Sequence, residues 1–473
     1  MKVIIDSVIR LSDVPADILQ QIKAELTMKN PEYIKKKAMG LNPYAWGPEY
    51  IKLWNERNIN GQKEYILPRG YYARFLEIVG GWVQVTDNRI MSKPVKFLKR
   101  PELRSYQQPV IQKAKDWQQG VIIMPCGSGK THSAMGIVEN LGQSTLWITH
   151  TMDLLKQSMD RAIECLGITG SQIGIIQGEN MSIGTHMTFA TVQTLSKRDL
   201  SQIKNMFGCI IVDECHLVFK DNAKARMFES VISQFPAFYR FGLTASEYRS
   251  DGLIDTMFQV IGPKIYEIEQ NDPRLKTVVP RVEFIDTEFS YWPDDGEQLN
   301  VQKMLVEMRQ DRKRETLLKM ILANDINPGD YCLVLGDSLE HLESLQQFVV
   351  SQLHRPAAFV CGTTNKRERE RIMADMRAGK YQYLFATYQL AKLGLDIPRL
   401  NKLVLATPKR DKTSIQQAAG RIMRPAEGKK QPVIYDLYDR NIKQMQYWAR
   451  DRVRVYRTLG CEIIGGPRVR KIN

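Results

Sequence analysis

The feature that most constrains this chain is a short apolar strand, Val121-Ile122-Ile123-Met124, that runs directly into Pro125-Cys126-Gly127-Ser128-Gly129-Lys130-Thr131 and then into a helical stretch. Gly127 and Gly129 let backbone N–H groups curl around a phosphate at a helix N-terminus. The Lys130 ammonium then reaches the outer phosphates of a nucleotide, and the Thr131 hydroxyl is a ligand for Mg²⁺. The strict pattern has glycine at 124, where Met124 stands. The two later glycines still provide the turn, and the strand-loop-helix context separates this loop from a chance glycine turn.

A second strand, Cys209-Ile210-Ile211-Val212, ends in Asp213-Glu214-Cys215-His216, 83 residues beyond Lys130. Ligands of open α/β folds gather at the carboxyl ends of strands, so both acids belong with the phosphate loop. Asp213 is placed to hold Mg²⁺, and Glu214 to orient and deprotonate an attacking water. A third piece is Gln417-Ala418-Ala419-Gly420-Arg421-Ile422-Met423-Arg424. On a helix, spacings of four and seven put Gln417, Arg421 and Arg424 on one face and turn Ile415, Ala419 and Ile422 into the fold. Two outward guanidiniums suit the charge of a γ-phosphate held by the first lobe.

Between these motifs, VIIM, TLWIT, MTFATV, CIIV and RFGLT alternate with helical stretches, as do YCLVLG, AAFVCG, YQYLFAT, KLVLATP and PVIYDLY further on. Such alternation predicts two α/β lobes with parallel sheets. The boundaries read as a small α+β leader domain over 1–95, a first lobe over 96–275 and a connector with one amphipathic helix over 276–330. A second lobe over 331–440 and a basic extension over 441–473 complete the chain. The leader opens with a strand from Val3 to Ile9, then a helix after Pro15 carrying Ile18, Ile22 and Leu26 on one stripe.

Charge is concentrated at the two ends. Of the net +15, residues 1–100 hold 17 Lys and Arg against 10 Asp and Glu, and residues 440–473 hold 9 against 2. Two basic flanks around a nearly neutral centre suit a grip on a polyanion, with Arg450, Arg452 and Arg454 alternating along RDRVRVYR as phosphate contacts. In the leader, Trp46, Tyr50, Trp54, Tyr65, Tyr71 and Tyr72 interleave with Lys52, Arg57, Lys63, Arg69 and Arg74, a mix that suits nucleic acid. Seven cysteines without a CxxC pair, and no apolar run of membrane length, predict a reduced, zinc-free protein of the cytoplasm that engages no membrane.

In order and spacing, these motifs resemble the nucleotide-site motifs of superfamily 2 helicases over about residues 97–440. The resemblance implies two RecA-like lobes that close on ATP and Mg²⁺. Arg104 and Gln107 are similar to the adenine-contacting segment upstream of the phosphate loop. His216, Thr244 and Ser246 resemble the positions that couple hydrolysis to motion, although Glu247 stands where proline is more common. Gly394 and Asp396 look like the motif that touches DNA backbone and ribose, and Thr149, Thr191 and Thr387 match backbone-contacting positions. Arg249-Ser250-Asp251-Gly252 is similar to a signature of XPB-like and RadD-like proteins. The leader's LTMKNPEY and LPRG resemble the domain before the motor in tailed-phage branch-migration helicases of the UvsW type.

The resemblance implies an ATP hydrolase acting on branched or forked DNA without sequence preference, in replication, recombination or repair, within the host cytoplasm if the source is a phage. Only 20 residues, Ile397 to Gln416, separate the Gly394–Asp396 motif from Gln417, which leaves no room for a long strand-splitting hairpin. That favours junction remodelling over long unwinding. The rivals are an RNA remodeller, the motor subunit of a restriction-type system and a non-hydrolysing clamp. The intact Glu214, Gln417 and both arginines argue against the clamp.

Overall fold

The computed structural model describes the chain apart from residues 41, 43–45, 81–82, 126, 219–221, 246–253, 270–271, 276–277, 294–298, 393–396 and 468–473. It divides into two compact units, one of Met1–Pro125 and Gly129–Glu269, the other including Gln270–Asn473.

The first unit begins with a five-stranded sheet in the order Asn55–Ile59, Gln62–Pro68, Val8–Ser12, Lys2–Ile5, Val85–Asp87. The single strand expected from Val3 to Ile9 is instead a hairpin. Asp6 accepts the Val8 N–H at 3.1 Å, a local turn that reverses the chain. Val3, Ile9, Leu11, Ile22, Leu67 and Phe75 form this sheet's own core against the helix Ala16–Glu25. The leader is nevertheless riveted to the rest of its unit. Arg69, fully buried, donates to the Gln119 amide oxygen at 2.8 Å and to the Ala237 carbonyl at 2.5 Å. Arg240, also buried, reaches back to the Ser7 carbonyl at 3.1 Å. Gly70 is packed so closely that a Cβ would stand 2.5 Å from the Gln259 carbonyl.

The larger part of this unit is an eight-stranded sheet in the order Asn180–Met181, Ile173–Gln177, Met187–Thr191, Thr145–Thr149, Cys209–Val212, Tyr239–Thr244, Gln119–Ile123, Lys264–Glu267. All pairings are parallel except the first. The central strands are buried along their whole length, which is why the sequence reads there as continuous apolar runs.

The second unit is a seven-stranded, all-parallel sheet: Ala357–Val360, Tyr383–Thr387, Cys332–Gly336, Lys402–Leu405, Val433–Tyr438, Arg281–Asp286, Glu462–Ile464. It corrects two boundaries. Residues 276–330 are not a connector, because Arg281–Asp286 is an interior strand of this sheet. Nor is 441–473 an appended extension. Lys443–Thr458 is a helix whose Ala449, Val453 and Tyr456 enter the lobe's core, and Glu462–Ile464 closes the sheet edge. The single amphipathic helix expected over the charged stretch is broken into Val301–Gln310 and Arg312–Met320, because the Asp311 carboxylate caps the second by accepting the Arg314 N–H at 2.7 Å.

Candidate nucleotide site and nucleic-acid contacts

Neighbouring strands of the first lobe bring the predicted nucleotide residues together. Gln119–Ile123 lies beside Tyr239–Thr244, which lies beside Cys209–Val212. Their carboxyl ends deliver the phosphate loop, Thr244 and the Asp213–Glu214 pair to one edge. Pro125, Gly127, Ser128 and Gly129 form the loop, with Gly127 and Gly129 both at φ +82°, and Lys130 opens the helix Lys130–Leu141. The positive φ favours glycine at 129, and a Cβ there would also stand 2.6 Å from the Gln107 amide nitrogen, displacing that side chain from the loop. Cys126 lies outside the described residues.

A chain of polar contacts crosses the site. The Lys130 ammonium sits 3.3 Å from one Glu214 carboxylate oxygen, and His216 Nδ1 sits 3.4 Å from the other. The same His216 nitrogen is 3.0 Å from the Thr244 hydroxyl, linking the acid to the neighbouring strand end. Glu214 holds this position with φ +48°, a left-handed conformation that costs a side-chain-bearing residue about 1 kcal/mol and concentrates at functional sites. Ser246, the third residue of the coupling reading, lies outside the described residues.

Asp213 is buried beside Glu214, and burial together with that second carboxylate pushes its pKa well up, against the pull of Lys130. Two crowded acids and one lysine leave local negative charge that a divalent cation offsets. Thr131 and Asp213 offer oxygen donors, the donor type Mg²⁺ prefers, so the residues fit that ion. Sequence reasoning missed Ser158, which donates to Asp213 at 3.2 Å. The available signal was a serine on the buried stripe Leu155, Ser158, Ala162, Cys165 of the helix Met152–Leu166. Upstream, the Gln107 amide accepts the Arg104 N–H at 2.9 Å and donates to the Gly129 carbonyl at 3.3 Å, while the Arg104 guanidinium reaches the Tyr106 hydroxyl at 3.0 Å. The adenine-type segment is thereby tied to the phosphate loop.

In the second lobe, the helix Lys412–Ile422 buries Ile415, Ala419 and Ile422 and leaves Gln417 and Arg421 partly exposed, with Arg424 partly exposed just beyond its end. The Gln417 side-chain carbonyl is buried with no hydrogen-bond partner among the described residues. Gly394 and Asp396 lie outside the described residues. Lys429, absent from the sequence reading, donates to the Arg424 carbonyl at 2.6 Å and to the Pro398 carbonyl at 2.9 Å. It joins the end of the arginine segment to a residue just beyond the Gly394–Asp396 motif, and burial lowers its pKa to about 8.

The nucleic-acid readings fare unevenly. Thr149 and Thr191 stand at paired strand ends, both buried; the Thr149 hydroxyl donates to the Thr151 carbonyl at 3.0 Å, and the Thr191 hydroxyl accepts the Thr194 N–H at 3.3 Å as a helix cap. Both hydroxyls are thus engaged within the first lobe. Thr387 is half-buried at its strand end. Arg452 alone is corrected: it is buried and bonded to both Asp436 carboxylate oxygens, at 2.7 and 2.8 Å, because RDRVRVYR is helical and turns this arginine inward. Lys443, Tyr447, Arg450, Arg454 and Arg457 share the outer face instead. Among the described residues no helix is long and apolar enough to cross a membrane.

Fold and site together define a two-lobe α/β protein of the phosphate-loop class. The family described as "Type III restriction enzyme, res subunit" matches residues 100–249, and the "Helicase conserved C-terminal domain" matches residues 312–426. A putative ATP-dependent RNA helicase of Acanthamoeba polyphaga mimivirus is 26% identical over 72% of this chain and 64% of its own length. The DNA 3'-5' helicase XPB of Mycobacterium tuberculosis is 25% identical over 74% and 62%. A probable helicase of Escherichia phage T5 is 25% identical over 82% of each. The chain thus spans less than two thirds of the first two relatives. Among solved structures, Saccharomyces cerevisiae Dbp5 bound to RNA and ADP BeF3 is similar in fold over 77% of this chain and 90% of its own, at 12% identity and a TM-score of 0.57. The chain thus carries one family match on each of its two RecA-like, parallel-sheet lobes and is similar to helicases along most of its length.

Proposed function

We propose that this chain is an ATP-dependent DNA helicase or translocase that remodels forks and four-way junctions. The observation that carries the motor reading is the continuous contact from Lys130 through Glu214 and His216 to Thr244. It links a phosphate-binding amine, a base for water and a strand-end hydroxyl in one chain. In this reading Lys130 holds the outer phosphates, Thr131 and Asp213 hold Mg²⁺, and Glu214 takes the proton of the attacking water. When held by Thr131 and Asp213, such an ion would supply positive charge against the phosphates. Gln417, Arg421 and Arg424 stabilise charge that develops on the γ-phosphate. Arg421→Ala and Arg424→Ala are each expected to lower ATP turnover by about a thousandfold with little change in nucleotide affinity. A loss confined to affinity overturns that role.

DNA as the substrate is supported by the DNA helicase name of the mycobacterial relative, the basic ends of the chain and the outer face of Lys443–Thr458. The viral relative's RNA helicase name supports the rival. ATPase assays over linear duplex, forked DNA, four-way junctions and structured RNA, at matched salt, separate them. Michaelis constants are expected to be lowest for the branched DNAs. Equal stimulation by linear duplex overturns the branched preference, and stronger stimulation by RNA overturns the DNA reading.

A further inference from the structure

Within the leader, the described residues between Thr27 and Lys52 form an annex to the five-stranded sheet. It consists of the two-stranded pair Thr27–Lys29 and Tyr50–Lys52 and the helix Pro31–Ala38. Among its described residues Asn30 alone is buried. The helix has no buried residue at all. Order here comes from hydrogen bonds: Asn30 caps the helix by accepting the Glu32 N–H at 3.0 Å, donates its amide to the Pro48 carbonyl at 2.8 Å, and gives its own N–H to the Glu49 carbonyl at 2.9 Å. Of the annex's described residues only Met28 and Ile51 pack, partly buried, against the leader's core, so apolar burial offsets little of the conformational entropy that ordering these residues costs.

What it presents outward is chemically consistent. Ile34 is 50% exposed, Met39 62% and Tyr50 45%. Lys35, Lys36 and Lys37 fill the last turn of the helix, and Lys29 pairs across the strands with Tyr50. The ammonium of Lys37 lies 5.8 Å from the rings of both Tyr33 and Trp46, and that of Lys52 lies 5.3 Å from Trp54. Lysines for phosphates beside half-open aromatic faces for bases are what an unpaired strand requires, whereas duplex DNA hides its base faces.

We propose that this annex is a single-strand DNA platform, with Lys35, Lys36 and Lys37 along the backbone and Tyr50 stacking on a base. The inference rests on the nucleic-acid reading of the proposed function and locates one of its contacts. In the full-length chain, Lys35→Ala/Lys36→Ala/Lys37→Ala is expected to make the log–log salt dependence of single-strand binding shallower by about 2, at roughly 0.7 per phosphate contact. Tyr50→Ala is expected to weaken single-strand binding about tenfold at fixed salt without changing that slope. ATP turnover without DNA should stay unchanged in both, since all four positions are surface sites away from the nucleotide. Unaltered single-strand binding by folded variants overturns the platform alone. Equal losses on blunt duplex overturn its single-strand character, and losses confined to an RNA strand overturn DNA as its ligand. Failure of the unsubstituted chain to bind any nucleic acid overturns the underlying reading as well.

Discussion

Glu214→Gln is expected to cut ATP turnover at least about a hundredfold while leaving nucleotide affinity within a few-fold. The amide has nearly the shape of the carboxylate and can keep a contact to the Lys130 ammonium, 3.3 Å away. It cannot take a proton from water. General-base removal typically costs about two to four orders of magnitude in rate, far more than any loss of packing at this half-buried position would explain. The paired measurements are steady-state ATPase in saturating DNA and equilibrium binding of a fluorescent nucleotide. Near-normal turnover would show that Glu214 is not the base. Loss of binding in step with turnover would show that its work is to position Lys130.

Much of this site was legible because its chemistry is written in short, contiguous motifs. A glycine loop after a buried strand, and two acids after another, need only the parallel-sheet rule to be brought together. What stayed hidden depends on side chains far apart in sequence. Ser158 reaches Asp213 from a helix 55 residues earlier, and Lys429 ties Pro398 to Arg424 through backbone carbonyls that no motif records. The second lobe's edges were misread for a different reason. Arg281–Asp286 and Glu462–Ile464 flank each other in the sheet yet sit about 180 residues apart in sequence, and a charged stretch comes after the first of them. Alternation failed at RDRVRVYR because valine and arginine at every second position fit a strand. The same residues also divide a helix into an inner side with Arg452, Val453, Val455 and Tyr456 and an outer side with Arg450, Arg454 and Arg457.

That division makes opposite predictions for neighbouring arginines. Asp436 accepts two hydrogen bonds from Arg452 and one from the Tyr456 hydroxyl at 2.9 Å, and all three side chains are buried. Asp436→Ala strands the Arg452 charge inside the second lobe, and losing one partner of such a pair costs about 3–5 kcal/mol. Urea denaturation of the variant should show the second lobe destabilised by that amount. Replacing both partners, with Asp436→Leu and Arg452→Met, should recover most of it, because two uncharged side chains leave no ion to desolvate. On the outer side, Arg450→Ala and Arg454→Ala should leave stability within about 0.5 kcal/mol. Each should make the log–log salt dependence of duplex binding shallower by about 0.9, the slope that one neutralised phosphate supplies. Arg452→Met alone should do the reverse, lowering stability and leaving the slope where it was. A steep loss of stability from Arg454→Ala, or a flattened slope in a folded Arg452→Met protein, would mean that the helix turns its other side to the lobe.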